Sequence, residues 1–249
     1  MAYLDYISDN NLIKHIKATL STYSETIKSI NLDKFNSNLI DPIKLTFDSN
    51  VYNKNMETII KEEIARQRDK TNTNAIGYFH QNIFKYFKNC EVPEHGFDVI
   101  FTKEDGSKIY VELKNKHNTM NSSSSQKTYM KISAKALEDP SSECYLVEII
   151  ARKSQNIPWY VSLDGQRVGN EKVRRVSIDK FYEIVTGEKD AFYKLCKILP
   201  SLINEIVSQN EQLSVEEDTV IQELRLKNKD LLKALYLLAF STYEGFDEF

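Results

Sequence analysis

Residues 96–114 read GFDVIFTKEDGSKIYVELK, and this stretch carries the strongest structural signal in the chain. Two runs rich in β-branched and aromatic residues, 96–101 and 108–114, flank an Asp-Gly pair, which strongly favours a β-hairpin. If the turn is a three-residue loop that accommodates a glycine bulge, residues whose numbers sum to 210 face each other. The hairpin then places Asp98 directly opposite Glu112, with their Cβ atoms about 5 Å apart.

This hairpin brings three charged side chains to one surface. Side chains alternate between the two faces of a strand, so Glu112 and Lys114 lie on the same side as Asp98. Two carboxylates this close repel each other, and a divalent cation removes the conflict. Mg²⁺ prefers such oxygen ligands and binds substrate phosphates, while a neighbouring lysine stabilises charge on the phosphate. The cluster therefore predicts metal-assisted hydrolysis of a phosphodiester.

The alternative explanation is a solvated strand face that carries an ordinary Glu–Lys pair. Three observations favour the catalytic interpretation. Glu112-Leu113-Lys114 is the only Asp/Glu-x-Lys tripeptide in a chain with 36 acidic residues. It falls on the one clear hairpin, and an acid occupies the matching position of the partner strand.

The elements around the hairpin predict a mixed α/β fold, with a small central mixed β-sheet flanked by helices. The chain divides into a helical region 1–54, a core 55–200 and an acidic helical region 201–249. Helices are expected over 4–20, 56–68, 75–88 (with a cap at 71–74), 127–138 and 215–240, strands over 143–151, 159–163 and 173–178, and a mobile loop over 118–126.

Composition excludes several classes of protein. The chain has 249 residues, 41% hydrophobic and 28% charged, with a mean hydropathy of −0.47, so neither a disordered chain nor a membrane bundle is expected. Its seven glycines form neither GxGxxG nor GxxxxGK[ST], which excludes the familiar nucleotide-binding loops. Three cysteines without a CxxC pattern, together with an N-terminus that lacks a secretory signal, indicate free thiols and a cytoplasmic location.

Taken alone, the net charge of −3 disfavours a nucleic-acid partner, but its distribution along the chain reverses that conclusion. Residues 103–135 hold seven lysines and three acids, and residues 152–180 hold seven basic and three acidic residues. Residues 211–249 hold nine acids and four basic residues, which mask the basic middle of the chain. Because a phosphate backbone responds to the local field, the two basic segments next to the carboxylates favour DNA as the partner.

The same residues resemble a known family. Asp98 and Glu112-Leu113-Lys114 resemble the signature of the PD-(D/E)xK nuclease superfamily, with Gly-Phe-Asp in place of its Pro-Asp. Residues 111–119 are similar to type II restriction endonucleases, and residues 74–81 and 157–160 resemble the group that cuts GGNCC-type sites. The resemblance covers about 55–200 and implies a restriction-endonuclease-like core, Mg²⁺, duplex DNA, a homodimer that reads a palindrome, and a cognate DNA methyltransferase.

The resemblance also implies roles for individual residues. Asp98 and Glu112 would hold the metal, and Lys114 would be the catalytic lysine. An additional helix acid is expected before the sheet; Glu57, Glu62 and Glu63 are the candidates, and Glu63 is preferred. His80 and Gln81 could approach the DNA or the metal, although a polar cap on a buried helix fits them equally well.

Base readout and phosphate contact both remain open for the basic and amide side chains near the hairpin, since arginine, lysine and glutamine take part in either. The candidates for contact with DNA are Lys116, His117, Asn118, Lys127, Lys131, Arg152, Lys153, Gln155, Arg174 and Arg175.

Three other functions are alternatives to a restriction endonuclease. A repair or junction nuclease would use the same chemistry without site specificity. A non-catalytic DNA-binding protein would carry Asp98 and Lys114 as surface residues only. A helical interaction protein would use the heptad-like repeat of Leu224, Leu231 and Leu238, which is more typical of a helix packed on a core.

Overall fold

The computed structural model of the protein describes residues 2–117, 120–163, 165–209, 216–244 and 246. The helices are α1 (Asp9–Thr26), α2 (Leu32–Asn36), α3 (Pro42–Val51), α4 (Met56–Asn82), α5 (Ser122–Glu138), α6 (Ile178–Thr186), α7 (Ala191–Ser208), α8 (Val220–Lys227) and α9 (Leu231–Phe240), with a short 3-10 helix at Ile83–Tyr86. The strands are β1 (Cys90–Glu91), β2 (Val99–Thr102), β3 (Lys108–Lys116), β4 (Glu143–Ile150), β5 (Asn156–Leu163) and β6 (Gln166–Ser177).

The chain forms two compact units that interleave in sequence. The first unit combines residues up to Thr19 with the segment from Ile76 to residue 209. The second combines Leu20–Ala75 with the described residues from 216 onward. The three segments expected from the sequence stay a prediction.

The first unit contains a mixed six-stranded sheet in the order β1-β2-β3-β4-β6-β5. The pairs β1–β2, β2–β3 and β5–β6 are antiparallel, while β3–β4 and β4–β6 are parallel. Helix α5 connects the parallel strands β3 and β4 and covers one face of the sheet. The predicted α/β class, the central mixed sheet and the strands near 143–151, 159–163 and 173–178 are therefore confirmed.

Apolar side chains explain why these strands form a sheet with α5 on one side. On the face covered by α5, strand residues and helix residues form a single buried cluster whose main members are Tyr110, Tyr129, Ile132, Ala136, Cys144, Leu146, Trp159, Val161 and Val173. The opposite face is also buried, as shown by Val99, Ile109, Val111 and Val147. Strands covered on both faces become nearly continuous apolar runs, as β4 is.

The hairpin has the predicted register. Val99 pairs with Val111, and each of the other β2–β3 partners also sums to 210. In the turn the Lys103 backbone N–H donates to the Ser107 carbonyl at 2.8 Å, and the Gly106 N–H donates to the Lys103 carbonyl at 3.0 Å. Gly106 has a φ of +83°, which glycine adopts without a steric penalty. The three-residue loop with its glycine bulge is therefore confirmed.

Two helix boundaries differ from the prediction near the sheet. Helix α4 continues through residues 71–74, where a cap was predicted. It ends at Asn82, immediately before the 3-10 helix Ile83–Tyr86. Ser122–Ser125 form the first turn of α5 rather than a loop. The Asn121 side chain accepts from the Ser124 N–H at 2.8 Å and supplies the cap from which the serines enter the helix.

The predicted long helix over 215–240 is wrong; residue 215 itself lies outside the described part of the chain. The described residues form two helices, α8 and α9, separated at Asn228–Asp230. The Asp230 side chain accepts from the Leu232 N–H at 2.9 Å, so it begins a new helix where the heptad-like pattern suggested continuity. The leucines of this pattern lie in the core of the second unit, which contains Leu224, Leu231 and, packed against it, Leu238.

None of the described helices is long and apolar enough to cross a bilayer. The three cysteines, Cys90, Cys144 and Cys196, are unpaired, and Cys144 is the buried one.

Substitution of Gly106 should destabilise the hairpin. We expect Gly106→Ala to lower the free energy of unfolding by about 1 kcal/mol, since an L-residue in the left-handed region is strained. The measurement is urea unfolding followed by circular dichroism.

Gly77→Ala is the matched control. Gly77 lies inside α4, and an added Cβ would sit 3.5 Å from Asn115, an ordinary contact. Alanine should therefore stabilise the helix by roughly 0.5–1 kcal/mol. Equal effects of the two substitutions would contradict the assigned role of Gly106.

Candidate active site

The β2–β3 hairpin brings Asp98 and Glu112 together at the end of the two strands. Asp98 precedes β2, and its N–H donates to the Val111 carbonyl at 2.9 Å; since Val111 is the register partner of Val99, this bond falls one residue out of the β2–β3 register. The Asp98 carboxylate Oδ2 accepts from the Leu113 N–H at 2.7 Å. Glu112, next to Leu113, lies close enough for its charge to raise the pKa of Asp98, so β3 brings the two carboxylates to one site.

Two ammonium groups share the Glu112 carboxylate. Lys114 Nζ donates to Oε1 at 2.8 Å, and Lys131 Nζ, which comes from α5, donates to Oε2 at 2.7 Å. Lys131 Nζ also donates to the Gly96 carbonyl at 2.7 Å and lies 5.0 Å from the centroid of the Phe97 ring. The site therefore contains two carboxylates and two ammonium groups from three segments of chain.

The environments of the two carboxylates shift their pKa values in opposite directions. Burial raises the pKa of Asp98, and the charge of Glu112 raises it further, against the lowering effects of the Leu113 N–H and the two lysines. Burial also raises the pKa of Glu112, but hydrogen bonds from Lys114 and Lys131 outweigh it, so the net shift is downward. Glu112 is thus held as the anion, whereas ionised Asp98 carries a cost that a nearby cation would relieve.

The pair fits the ligand chemistry of Mg²⁺. Within the described ranges, no three or more His, Cys, Asp or Glu side chains gather as a metal cage. Mg²⁺ does not require such a cage, because it commonly takes one or two carboxylates and completes its shell with water and substrate phosphate. Burial and the neighbouring Glu112 charge both raise the pKa of Asp98, and a cation bound to the two carboxylates would offset both effects.

A second polar cluster adjoins the first on the same face of the sheet. Glu148 of β4 is the register partner of Lys114 and is fully buried. Its carboxylate accepts from Arg175 Nε at 2.8 Å and is 3.0 Å from His117 Nδ1. Sequence reasoning missed Glu148; the signal that could have found it is a single acid within the otherwise apolar run Cys144–Ile150.

The predicted DNA-contact residues fall into two groups. Lys116, Lys127, Lys131, Arg152 and Lys153 are exposed. The other group is held within the protein. Arg174 donates to Asn156 Oδ1 at 2.6 Å and to the Asn156 carbonyl at 2.8 Å, and Arg175 and His117 belong to the Glu148 cluster.

The two remaining DNA-contact candidates are Gln155 and Asn118. The backbone of Gln155 is hydrogen-bonded to Ser177. The Gln155 N–H donates to Ser177 Oγ at 2.9 Å, and its carbonyl accepts from the Ser177 N–H at 2.9 Å. Asn118 lies outside the described residues.

Of the two helix residues predicted near the site, Gln81 has a hydrogen-bond partner, and the buried Nδ1 of His80 has none among the described residues. Gln81 Nε2 donates to the Asp98 carbonyl at 3.4 Å, which is a long contact to the backbone of a proposed ligand. His80 is mostly buried, and burial, with a smaller effect of His15, lowers its pKa to about 4, so it is neutral at pH 7.

Glu63 belongs to the second unit, whereas Asp98, Glu112 and Lys114 belong to the first. Its buried carboxylate accepts from Arg66 Nε at 2.7 Å and from Gln67 Nε2 at 3.3 Å. The other two helix acids are in exposed ion pairs, Glu57 with Lys61 and Arg225, and Glu62 with Lys54.

A mixed sheet flanked by helices, with two carboxylates and a lysine on one hairpin, defines the restriction-endonuclease-like class of nuclease folds. Comparison with known families agrees with this class: residues 4–208 match the family model described as Eco47II restriction endonuclease. The chain belongs to this family of type II restriction endonucleases.

Two curated relatives support the assignment. The chain is 34% identical over 211 residues to the type II restriction enzyme Sau96I of Staphylococcus aureus, covering 82% of this chain and 80% of the relative. It is 32% identical over 218 residues to the type II restriction enzyme Eco47II of Escherichia coli, covering 84% of this chain and 90% of the relative. The resemblance seen in the sequence is confirmed.

Removing the charge of Asp98 should not lower the stability of the protein at neutral pH. The raised pKa means that folding disfavours the ionised carboxyl, so the wild type is penalised at neutral pH. We expect Asp98→Asn to have an equal or higher melting temperature at pH 7, because asparagine keeps an oxygen for the Leu113 N–H and carries no charge. The advantage should shrink as the pH falls through the raised pKa of the folded protein toward the ordinary carboxyl value of 3.8, and it should be absent below 3.8, where the group is protonated in both the folded and the unfolded state.

The same melting experiment tests metal binding. Mg²⁺ should raise the melting temperature of the wild type and not that of Asp98→Asn, since a ligand stabilises only the state that binds it. Glu104→Gln, in the exposed hairpin turn, is the control and should retain the response to Mg²⁺. An unchanged Mg²⁺ response in Asp98→Asn would contradict the role of Asp98 as a ligand.

Proposed function

We propose that this type II restriction endonuclease is Mg²⁺-dependent and cuts duplex DNA at a short palindromic site of the GGNCC type. The observation that supports the metal dependence is the closeness of two carboxylates and a lysine: Asp98 accepts from the Leu113 N–H, and the adjacent Glu112 binds Lys114. The GGNCC-type site is proposed from the resemblance of residues 74–81 and 157–160 to enzymes with that specificity.

Each residue of the site has a distinct role in this proposal. Asp98 and Glu112 hold the metal, which supplies Lewis acidity toward a phosphate oxygen when bound. Lys114, whose ammonium is fixed by Glu112 at 2.8 Å, stabilises the negative charge that develops on the scissile phosphate. Lys131 brings a second ammonium to the same carboxylate and can exchange it for a phosphate oxygen of the bound strand.

The surroundings of the site suit a polyanion. Lys116, Lys127, Arg152 and Lys153 are exposed basic residues of the two positively charged segments, and we assign them to phosphate contacts. Arg174 is not assigned to base readout because its guanidinium is hydrogen-bonded to Asn156.

The remaining parts of the proposal concern partners and location. A palindromic site is matched by a two-fold symmetric reader, so the active form would be a homodimer. A nuclease of this kind requires a cognate DNA methyltransferase to protect the host sites, and its substrate places it in the cytoplasm.

Loss of Lys114 should remove catalysis and leave binding intact. We expect Lys114→Ala to reduce the single-turnover cleavage rate by roughly 10²–10³-fold, the usual effect of removing one group that stabilises transition-state charge. Affinity for duplex DNA and the circular-dichroism spectrum should be retained.

The matched control is Lys108→Ala, since Lys108 lies at the other end of the same strand. It should cut DNA at the wild-type rate. Undiminished cutting by Lys114→Ala would rule out the proposed mechanism, and equal losses in both variants would point to general charge instead.

One digestion tests the function as a whole. Purified protein is incubated with unmethylated phage DNA in Mg²⁺ or in EDTA, and the fragment ends are sequenced. The expected result is a set of discrete, metal-dependent ends that share one short symmetric sequence. Scattered ends would indicate a repair or junction nuclease, and binding without any strand break would indicate a non-catalytic DNA-binding protein.

A further inference from the structure

Glu148 is a buried charge within an apolar strand. Its relative exposure is 0%, and it is the register partner of Lys114 across the parallel β3–β4 pair. Partners in a parallel pair project to the same face, so Glu148 lies beside the proposed catalytic lysine. A buried carboxylate is costly unless it is fully hydrogen-bonded, and its partners therefore reveal what the fold holds in place.

Those partners are one arginine and one histidine. Arg175 reaches Glu148 Oε1 through both Nε and a terminal guanidinium nitrogen, the former at 2.8 Å. His117 Nδ1 is 3.0 Å from Oε2, so both carboxylate oxygens are engaged. The Arg175 guanidinium donates to Glu148 and to the His117 carbonyl, so its hydrogen-bonding groups are used within the protein rather than on a DNA base.

His117 is held at three points, two of them by the Glu148 and Arg175 side chains and one by the backbone of β4. Its ring nitrogen Nδ1 contacts Glu148, its backbone carbonyl accepts from Arg175 at 3.0 Å, and its N–H donates to the Ile150 carbonyl at 3.0 Å. The side chain is still 22% exposed. Because Glu148 occupies Nδ1, Nε2 is the ring nitrogen left for a ligand, and no residue in the described part of the chain hydrogen-bonds to it.

The position of His117 relative to Lys114 suggests what that ligand is. Glu148, which contacts the His117 ring, is also the register partner of Lys114, and neighbouring strands lie about 4.8 Å apart. The imidazole is therefore close to Lys114, and a DNA strand with its scissile phosphate at Lys114 brings a neighbouring phosphate toward His117.

We propose that Glu148 and Arg175 are positioning residues that hold His117 so that its Nε2 hydrogen-bonds a backbone phosphate adjacent to the one being cut. This inference rests on the proposed function, because it takes duplex DNA as the substrate and Lys114 as the position of the scissile phosphate. It assigns a role to Glu148 and gives Arg175 an indirect role in place of base readout.

The simplest alternative is that Glu148 and Arg175 form a purely structural ion pair. A structural pair would account for Glu148 and Arg175 alone. It would not require the second carboxylate oxygen to meet an imidazole, nor the same guanidinium to hold the backbone of that histidine. A buried carboxylate that orients a histidine ring is a common means of fixing which nitrogen faces the ligand.

A double-mutant cycle distinguishes these explanations. All proteins carry Lys114→Ala so that the duplex stays intact, and the dissociation constant for a duplex containing the cut site is measured by fluorescence anisotropy in Mg²⁺. We expect His117→Ala to weaken binding about tenfold, as loss of one hydrogen bond to a charged group would do. Glu148→Gln should produce a similar loss, and the double variant should bind no more weakly than His117→Ala.

The control is Glu143→Gln on the same strand. Glu143 also pairs with a cation, Lys103, and accepts from the Tyr145 hydroxyl at 2.7 Å, but it lies at the other end of β4. It should leave the dissociation constant unchanged.

Losses that multiply in the double variant, or a Glu148→Gln protein that melts earlier yet binds DNA normally, would show a structural role and overturn the inference. If Glu148→Gln does not fold, His117→Ala decides alone, and an unchanged dissociation constant overturns it. Failure of the wild-type protein to cut phage DNA is a separate result that refutes the proposed function. Normal wild-type cutting with normal binding by His117→Ala refutes this inference only.

Discussion

The antiparallel register between β2 and β3 is the constraint on which the site depends. Because side chains alternate along a strand, a shift of one residue in β3 would move Glu112 and Lys114 to the opposite face of the sheet. The three-residue turn, with Gly106 at positive φ, prevents that shift. In the observed register, Glu112 binds Lys114 from its own strand and Lys131 from the covering helix. A few backbone angles in an exposed turn thus determine the electrostatics of the site.

The sheet face under α5 is divided along its length into an apolar half and a charged half. Tyr110, Leu146 and Val173 belong to the buried cluster that attaches the helix to the sheet. Farther along β3 and β4 the same face carries Lys114 and Glu148 as partners. Packing in the apolar half holds the strands and the helix in place. Because the charged residues lie on the same strands, like charges can be kept close together in the charged half. This division explains how ionisable groups can be concentrated without loss of the fold.

The sequence predicted the local features well and the long-range ones poorly. The hairpin and its register follow from turn chemistry and alternation, which operate over a few residues. The continuous α4 and the division between α8 and α9 depend on packing and on the cap at Asp230, which override propensity and periodicity. The Glu148 cluster unites β3, β4 and β6, and no spacing rule links residues on three strands before the sheet order is known.

The interleaving of the two compact units has a consequence for the order in which the chain can fold during synthesis. The core of the second unit combines residues from 30–64 with residues from 220–235, such as Phe35 and Leu235. At ribosomal speeds of ~5–20 residues per second, the roughly 140 residues between Ala75 and Val220 take on the order of ten seconds to emerge. During that interval the early part of this core lacks the late residues that complete it, whereas the last described strand of the sheet ends at Ser177. Every strand of the nuclease sheet has therefore been synthesised before the residues that close the core of the second unit.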